Sequence, residues 1–287
     1  MKKFLIILSL ILLSIFAVAC TSQSDNSTGK VVGVNTGVVN MPSCISPPSG
    51  MIGWWTGDNV YFSKVSALET SYFINSPGAP NAYVAGIVGN ALKFIGGPNR
   101  LSITVNPANQ LILPNTAGRT SNVLGFTADT WVKLDKLPGS NDYYSIITKW
   151  DENINERSFA LTVNNNGALR FDTSPDGKYH ANNAVYSTSS LLLDTWYHVA
   201  VTTDGANNKI YLNGQNVATK TITNAADRGL IILNDTTNIY LGHSPKFMDG
   251  SRDLYGILDE VEIFNRALSQ SEIQSIYNAG SAGKCKN

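Results

Sequence analysis

Short runs of alternating apolar and polar residues, each followed by turn-forming residues, constrain the fold of this chain more than any other feature. Residues 126–134, 159–163 and 197–201 alternate in this way. Residues 210–212 run into Asn213-Gly214, a pair that tolerates positive φ and favours a two-residue hairpin. A period of two is typical of strands with one buried face, and many such strands with turns between them favour a sandwich or a barrel. We therefore expect an all-β, antiparallel fold.

One short helix is expected near the C-terminus. Ser269 and Glu272 have the spacing of a capping box, in which the two side chains satisfy free amides at the helix start. Ile273 and Ile276 follow on one face, and Gly280 suits the helix end.

The N-terminus has the pattern of a secretory signal. Two lysines precede an apolar run over residues 4–18, which is shorter than the roughly 20 apolar residues of a membrane span. Residues 1–19 are therefore expected to be a signal peptide. The segment that ends at Cys20 resembles a bacterial lipobox, which implies acylation of Cys20 and a membrane anchor. The alternative is an ordinary secretory signal with a free Cys20 thiol.

The anchored segment and the charge of the chain indicate where the protein works. Residues 20–43 are rich in small polar residues and are expected to form a lipidated, flexible tether. An aspartate directly after the lipidated cysteine is often linked to retention in the inner membrane. Because Thr21 stands there instead, we expect the protein at the outer membrane or the cell surface.

The chain without its signal peptide is close to neutral. The signal removes two lysines from 21 basic and 21 acidic residues, which leaves a net charge of −2. This near-neutral balance gives no bulk attraction to nucleic acid.

Two cysteines remain if Cys20 carries lipid. Cys44 and Cys285 lie at the two edges of the folded region, 241 residues apart. In an oxidising compartment they are expected to form a disulfide, with two free thiols as the alternative.

Six segments in order resemble those of bacterial laminin-G-like domains of the concanavalin A-like superfamily. They are residues 53–58 (GWWTGD), 86–94 (GIVGNALKF), 126–133 (FTADTWVK), 196–200 (WYHVA), 210–214 (IYLNG) and the closing 256–273. The resemblance implies one domain over residues 44–287. It also implies a two-sheet antiparallel jelly-roll sandwich with neighbouring chain ends, which agrees with the expected disulfide.

The calcium site that such domains often carry is in doubt here. The stretch after the opening strand, residues 60–69, has no aspartate. Calcium prefers six to eight oxygen ligands. Asp58 and Asp259 remain as candidates for a structural calcium, and no other cofactor is expected. Asp259 could instead accept backbone or arginine hydrogen bonds, with Arg266 as one donor.

The resemblance also requires a test for catalysis, since glycoside hydrolases share this fold. Retaining glycosidases need two carboxyl groups about 5 Å apart. Strict alternation puts Asp259 on the apolar face of residues 257–263 and puts Glu260 and Glu262 on the opposite face. From this separation we predict that the protein is not an enzyme.

Aromatic and amide side chains near strand ends are the remaining candidates for ligand contact. Sugars stack their C–H faces on aromatic rings, and amides or carboxylates bind the hydroxyls. The alternative for any one ring is packing in the core. We expect an envelope-anchored module that recognises carbohydrate or a surface partner, or alternatively a structural or adhesion scaffold, or a hydrolase. The candidate ligand residues are Tyr143, Tyr144, Trp150, Asp151, Asn153 and Tyr179.

Overall fold

Two antiparallel β-sheets packed face to face form the body of the protein. The computed structural model describes residues 43–58, 70–74, 83–96, 101–105, 122–123, 125–231, 239–244 and 251–286. The strands are β1 (Met51–Trp55), β2 (Thr70–Ile74), β3 (Tyr83–Ala85), β4 (Asn90–Ile95), β5 (Leu101–Val105), β6 (Asn122–Val123), β7 (Phe126–Leu134), β8 (Tyr143–Asp151), β9 (Glu156–Asn164), β10 (Ala168–Thr173), β11 (Val185–Ser190), β12 (Trp196–Thr203), β13 (Asn207–Leu212), β14 (Gln215–Thr221), β15 (Leu230–Ile231), β16 (Ile239–Leu241) and β17 (Tyr255–Phe264). The helix is α1 (Gln270–Ala279).

Among the described residues, eight strands form one sheet and seven form the other. The eight-stranded sheet has the order β14-β13-β12-β7-β17-β4-β3, with β1 also paired to β17. The seven-stranded sheet has the order β11-β10-β9-β8-β16-β5-β2, and β6 pairs with β15 separately. The predicted two-sheet jelly-roll sandwich is confirmed.

The core lies between the two sheets. The rings of Phe126 in β7 and Phe159 in β9 have centroids 4.4 Å apart, and both side chains are fully buried. Val132 and Leu161 belong to the same cluster. These are the inward positions that the alternation predicted, because successive side chains of a strand point to opposite faces.

The predicted hairpin and helix are present. Asn213 and Gly214 join β13 to β14 with φ angles of 50° and 78°, which the Asn-Gly pair permits. Ser269 accepts a hydrogen bond from the Glu272 amide, and the Glu272 carboxylate accepts one from the Ser269 amide. Ile273 on α1 packs on the outer face of the eight-stranded sheet. Within the described residues, no helix combines the length and hydropathy needed to cross a membrane.

The C-terminal tail returns to the start of the domain. Cys44 and Cys285 form a disulfide with Cα atoms 4.9 Å apart, which is the pairing expected from the cysteine count. The Cys285 amide donates to the Ile45 carbonyl at 2.9 Å. The tail after α1 is thereby held against the eight-stranded sheet. Cys20 and residues 1–42 lie outside the described residues.

Candidate functional site

A depression of about 350 Å³ opens on the outer face of the seven-stranded sheet. Strand β8 contributes Tyr143 and Trp150, strand β9 contributes Arg157, and strand β10 contributes Arg170 and Asp172. In β10, Arg170 and Asp172 share a face because they alternate with core residues. In β8, Tyr143 and Trp150 are an odd number of residues apart, and they share a face because the register with β9 shifts between Ser145 and Ile147 and again between Lys149 and Trp150. The depression is also lined by Glu152, Tyr179 and Arg252, which lie outside these three strands.

Arg170 and Asp172 form a two-contact ion pair at one side of the depression. Nε of Arg170 lies 2.7 Å from one carboxylate oxygen, and Nη2 donates to the other at 2.8 Å. Burial raises the pKa of Asp172, and the Arg170 contacts oppose this rise only in part. Burial alone would lower the pKa of Arg170, but the charge and hydrogen bond of Asp172 raise it on balance. Such charge-assisted pairs are strong and fix the geometry of both groups.

Two further arginines enter the depression with different partners. Nε of Arg252 lies 2.6 Å from an Asp142 carboxylate oxygen, and its Nη1 lies 3.7 Å from a Glu152 carboxylate oxygen. Arg157 instead donates to neutral oxygens, among them Asn155 Oδ1 at 2.8 Å and the Glu152 carbonyl at 3.4 Å. Arg170 and Arg252 are therefore paired with carboxylates, whereas the hydrogen bonds of Arg157 go to uncharged oxygens.

Each of these arginines also lies over an aromatic ring. Arg252 is 4.5 Å from the centroid of Tyr143, and Arg157 is 5.8 Å from that of Trp150. Arg170 is 5.4 Å from Tyr143 and 5.9 Å from Tyr179. Cation–π contacts of this kind hold the guanidinium groups and the rings in fixed positions. The result is a surface of aromatic and charged groups ready to contact a polar ligand.

The structure brings three of the predicted ligand residues together and separates the others. Tyr143, Trp150 and Tyr179 line the depression. Tyr144 points into the core, where burial raises its pKa to about 12, so its assignment to ligand contact is wrong. Neighbouring residues of a strand alternate between faces, so Tyr143 and Tyr144 cannot share one.

Asp151 and Asn153 shape the turn after β8. The Asp151 carboxylate accepts a hydrogen bond from the Asn153 amide at 2.8 Å. Neither residue is among those that line the depression. The sequence analysis missed Arg157, Arg170 and Arg252. For Arg170 a signal existed, because it alternates with the core residue Phe171 and therefore faces outward.

Asp58 and Asp259, the candidate calcium ligands, both bind the turn before β4. Asp259 Oδ2 accepts hydrogen bonds from the amides of Ile87 and Val88 at 2.8 and 2.9 Å. Asp58 accepts one from the Asn90 amide and forms an ion pair with Lys286. No group of three or more metal-ligating His, Cys, Asp or Glu side chains occurs in the part of the chain that the structure describes.

These contacts distinguish the two interpretations of Asp259, as a calcium ligand or as an acceptor of hydrogen bonds from the protein. Backbone amides, not Arg266, donate to it, and Arg266 instead pairs with Glu272. The ammonium group of Lys286 lies against Asp58. A calcium ion bound there would need several oxygen ligands around it instead. The geometry does not fit that ion, and calcium stays a prediction without structural support.

A β-bulge in β17 changes which side chains share a face. The register with β7 shifts between Asp259 and Glu262, and Glu260 has a φ of 50°. Val261 faces the core, while Glu262 lies opposite Asp129 on the outer side. The predicted strict alternation is therefore wrong, since a bulge inserts one residue and reverses the faces beyond it.

Two facing antiparallel sheets, with α1 packed on the outer face of one and the depression on the outer face of the other, define the class of jelly-roll sandwiches. A family model described as "Concanavalin A-like lectin/glucanases superfamily" matches residues 100–274. The chain belongs to this superfamily, as the laminin-G-like motifs predicted.

Individual proteins similar to this chain come from several contexts. Over 196 residues, 66% of this chain, it is 24% identical to adhesion G-protein coupled receptor V1 of Danio rerio, and it spans 3% of that protein. Domain 4 of AbnA, a GH43 extracellular arabinanase from Geobacillus stearothermophilus in complex with arabinotriose, superposes with a TM-score of 0.55 at 17% identity. That match covers 78% of this chain and 97% of the domain.

A third similar structure is Trypanosoma rangeli sialidase in complex with the inhibitor DANA. Its TM-score is 0.56 at 19% identity, and the match covers 81% of this chain and 33% of the sialidase chain. At these identities the likeness to the arabinanase domain and to the sialidase shows the fold alone.

The prediction that the chain is not an enzyme is wrong as drawn. It rested on the alternation along β17, which the bulge overturns. Chains that share the fold come from an arabinanase and a sialidase, so membership of this fold class does not exclude an enzyme.

Proposed function

We propose that the protein is an envelope-anchored carbohydrate-binding protein and that the depression is its binding site. The observation that carries the proposal is the joint presence of aromatic rings and fixed polar groups on one open sheet face. Tyr143, Trp150 and Tyr179 offer apolar ring surface, while Glu152 and Asp172 offer acceptors for sugar hydroxyls. A volume of about 350 Å³ lies within the usual range of ligand sites.

Similarity and sequence support the two halves of this proposal. The chain shares its superfamily with lectins and glucanases, and one similar domain is in complex with arabinotriose. The lipobox-like segment at Cys20 supports anchoring, with residues 20–43 as the tether between the membrane and the domain.

The test compares the Trp150→Ala variant with the unmodified protein on an immobilised polysaccharide panel. Loss of one aromatic contact should cost about 1 kcal/mol, or roughly fivefold in affinity, with an unchanged melting temperature. Trp196→Ala is the matched control, because Trp196 is half-buried on the eight-stranded sheet and contacts Lys133 there. It should leave binding unchanged.

Two outcomes would contradict the proposal. A lower melting temperature of Trp150→Ala with unchanged binding would show that Trp150 supports the fold and not a site. A failure of the unmodified protein to bind any polysaccharide would favour the scaffold alternative. Release of reducing sugar in the same incubations would show that the protein also hydrolyses the polysaccharide that it binds.

A further inference from the structure

The depression contains more charged side chains than the binding of a neutral sugar requires. Three guanidinium groups and two carboxylates line it, and a third carboxylate, that of Asp142, pairs with Arg252 from beside the lining. Arg170 is paired with Asp172, and Arg252 is shared between Asp142 and Glu152. Of the three arginines, Arg157 is therefore the one that has no carboxylate partner among the described residues.

Arg157 is held in place without a carboxylate partner. In the described part of the chain, its hydrogen bonds go to an asparagine side chain and to backbone carbonyls, all of them uncharged. The Trp150 ring lies beside the guanidinium group. Binding an anion at this position would cost no competing ion pair and little side-chain entropy, because the group is already positioned.

Arg170 adds a second donor edge on the neighbouring strand. Its Nε and Nη2 face Asp172, and Nη2 also lies 3.2 Å from the Tyr179 hydroxyl. Within the described residues, no hydrogen bond engages its Nη1. A planar guanidinium group with free N–H donors matches the oxygen pair of a carboxylate or a sulfate.

We infer that the depression selects an acidic sugar, whose single negative group pairs with Arg157 while its ring contacts the aromatic side chains. This inference rests on the proposed carbohydrate-binding function. One guanidinium group without a carboxylate partner matches a monoanionic group, either the carboxylate of a uronic or nonulosonic acid or a sulfate ester. The expected mature net charge of −2 gives no bulk attraction to polyanions, so the selection is local to the depression.

The experiment uses the purified protein and a panel of matched polysaccharides. Polygalacturonate, a sialylated oligosaccharide and a sulfated galactan carry the negative group. Methyl-esterified pectin, neutral galactan and arabinan lack it. The acidic members should bind at least about tenfold more tightly, and comparison of carboxylated with sulfated members identifies the source of the charge.

Two variants and one control assign the preference to Arg157. Arg157→Gln should lose the preference for acidic members, while Arg157→Lys should keep part of it, since it retains charge without the planar fork. Lys220→Gln removes one positive charge from an exposed position on β14 of the other sheet, and it should change nothing. Melting temperatures establish that each variant is folded.

The outcomes separate this inference from the proposed function. Equal or tighter binding of neutral members, reduced by Trp150→Ala, would overturn the acidic-sugar inference and leave carbohydrate binding in place. A preference for acidic members that survives in Arg157→Gln would also overturn it. If no polysaccharide binds, the proposed function fails together with the inference.

Discussion

A buried ion pair between the C-terminal tail and β17 offers a direct test of how much the tail stabilises the domain. Lys284 forms an ion pair with Glu262, and their side chains are 3% and 0% exposed. Asp129 lies across the ladder from Glu262 and is 1% exposed. Burial raises the pKa of Glu262 well above its ordinary value, and Lys284 opposes that rise. Lys284 is therefore the ammonium group paired with Glu262, while Nε2 of His198 lies 3.4 Å from a carboxylate oxygen of Asp129.

The perturbation is Lys284→Met, which keeps an unbranched apolar stem and removes the charge. Removing one partner of a buried pair leaves the other charge uncompensated and costs about 3–5 kcal/mol. Since domains of this kind have a total stability of about 5–15 kcal/mol, the loss should be large but measurable. The double variant Lys284→Met/Glu262→Gln removes both charges and should recover more than half of the loss.

The pH dependence of the single variant gives an independent signature. Without Lys284, the pKa of Glu262 in the folded protein rises further above its unfolded value. The folded state then takes up a proton that the unfolded state does not hold, so stability increases as pH falls. The difference from the unmodified protein should narrow between pH 7.5 and about 5.

Urea or guanidinium unfolding under non-reducing conditions measures these changes with the disulfide intact. The m-value should stay constant, because the surface exposed on unfolding is the same. A loss below about 1 kcal/mol in Lys284→Met would refute the reasoning, since an exposed pair contributes no more than that. A double variant that is no more stable than the single one would refute it equally.

Three further predictions concern the disulfide, Asp259 and the anchor. Replacing Cys44 and Cys285 by Ser should lower stability by up to about 5 kcal/mol, and labelling of free thiols in the denatured, non-reduced protein would contradict the disulfide. Burial raises the pKa of Asp259 to about 7 from 3.8, so stability should fall as pH rises through that window, by at most about 1.4 kcal/mol per unit. The Asp259→Asn variant should show a weaker dependence of stability on pH. An unchanged dependence would mean that other groups cause it. Cys20→Ser should release the protein from the membrane fraction, whereas retention there would exclude an anchor through Cys20.

Local signals in the sequence were sufficient to predict several of the strands and the helix. The alternation over residues 126–134 matches β7, and the Ser269–Glu272 spacing matches the capping box of α1. In that box, the hydrogen bond from Arg266 is the main cause that lowers the pKa of Glu272 to about 2. Such features depend on neighbours within a few residues, which is why periodicity and capping rules identify them.

The bulge in β17 could not be predicted in the same way. Glu260 adopts a positive φ although nothing in its local sequence requires it. Its carboxylate accepts a hydrogen bond from Trp54 Nε1 at 2.9 Å, across 206 residues of sequence. Long-range contacts of this kind support backbone strain that a single-residue pattern does not show.

The candidate site was predicted in its aromatic part and missed in its charged part. Tyr143 and Trp150 were found because aromatic residues near a strand end are conspicuous in the sequence. Arg252 joins them from a segment about a hundred residues away, through its contact with Asp142. An assembly from distant strands depends on sheet order, which the sequence alone leaves open.

The two outer faces of the sandwich divide stability from binding. On the eight-stranded sheet, Asp129 and Glu262 form a carboxylate pair that Lys284 and the stapled tail close off from solvent. In the depression, the Glu152 side chain is 28% exposed beside the aromatic rings, whereas Asp172 is 4% exposed and paired with Arg170. Substitutions in the tail should therefore change stability and leave glycan affinity unchanged, and a Lys284 variant that binds more weakly while fully folded would show that the faces are coupled.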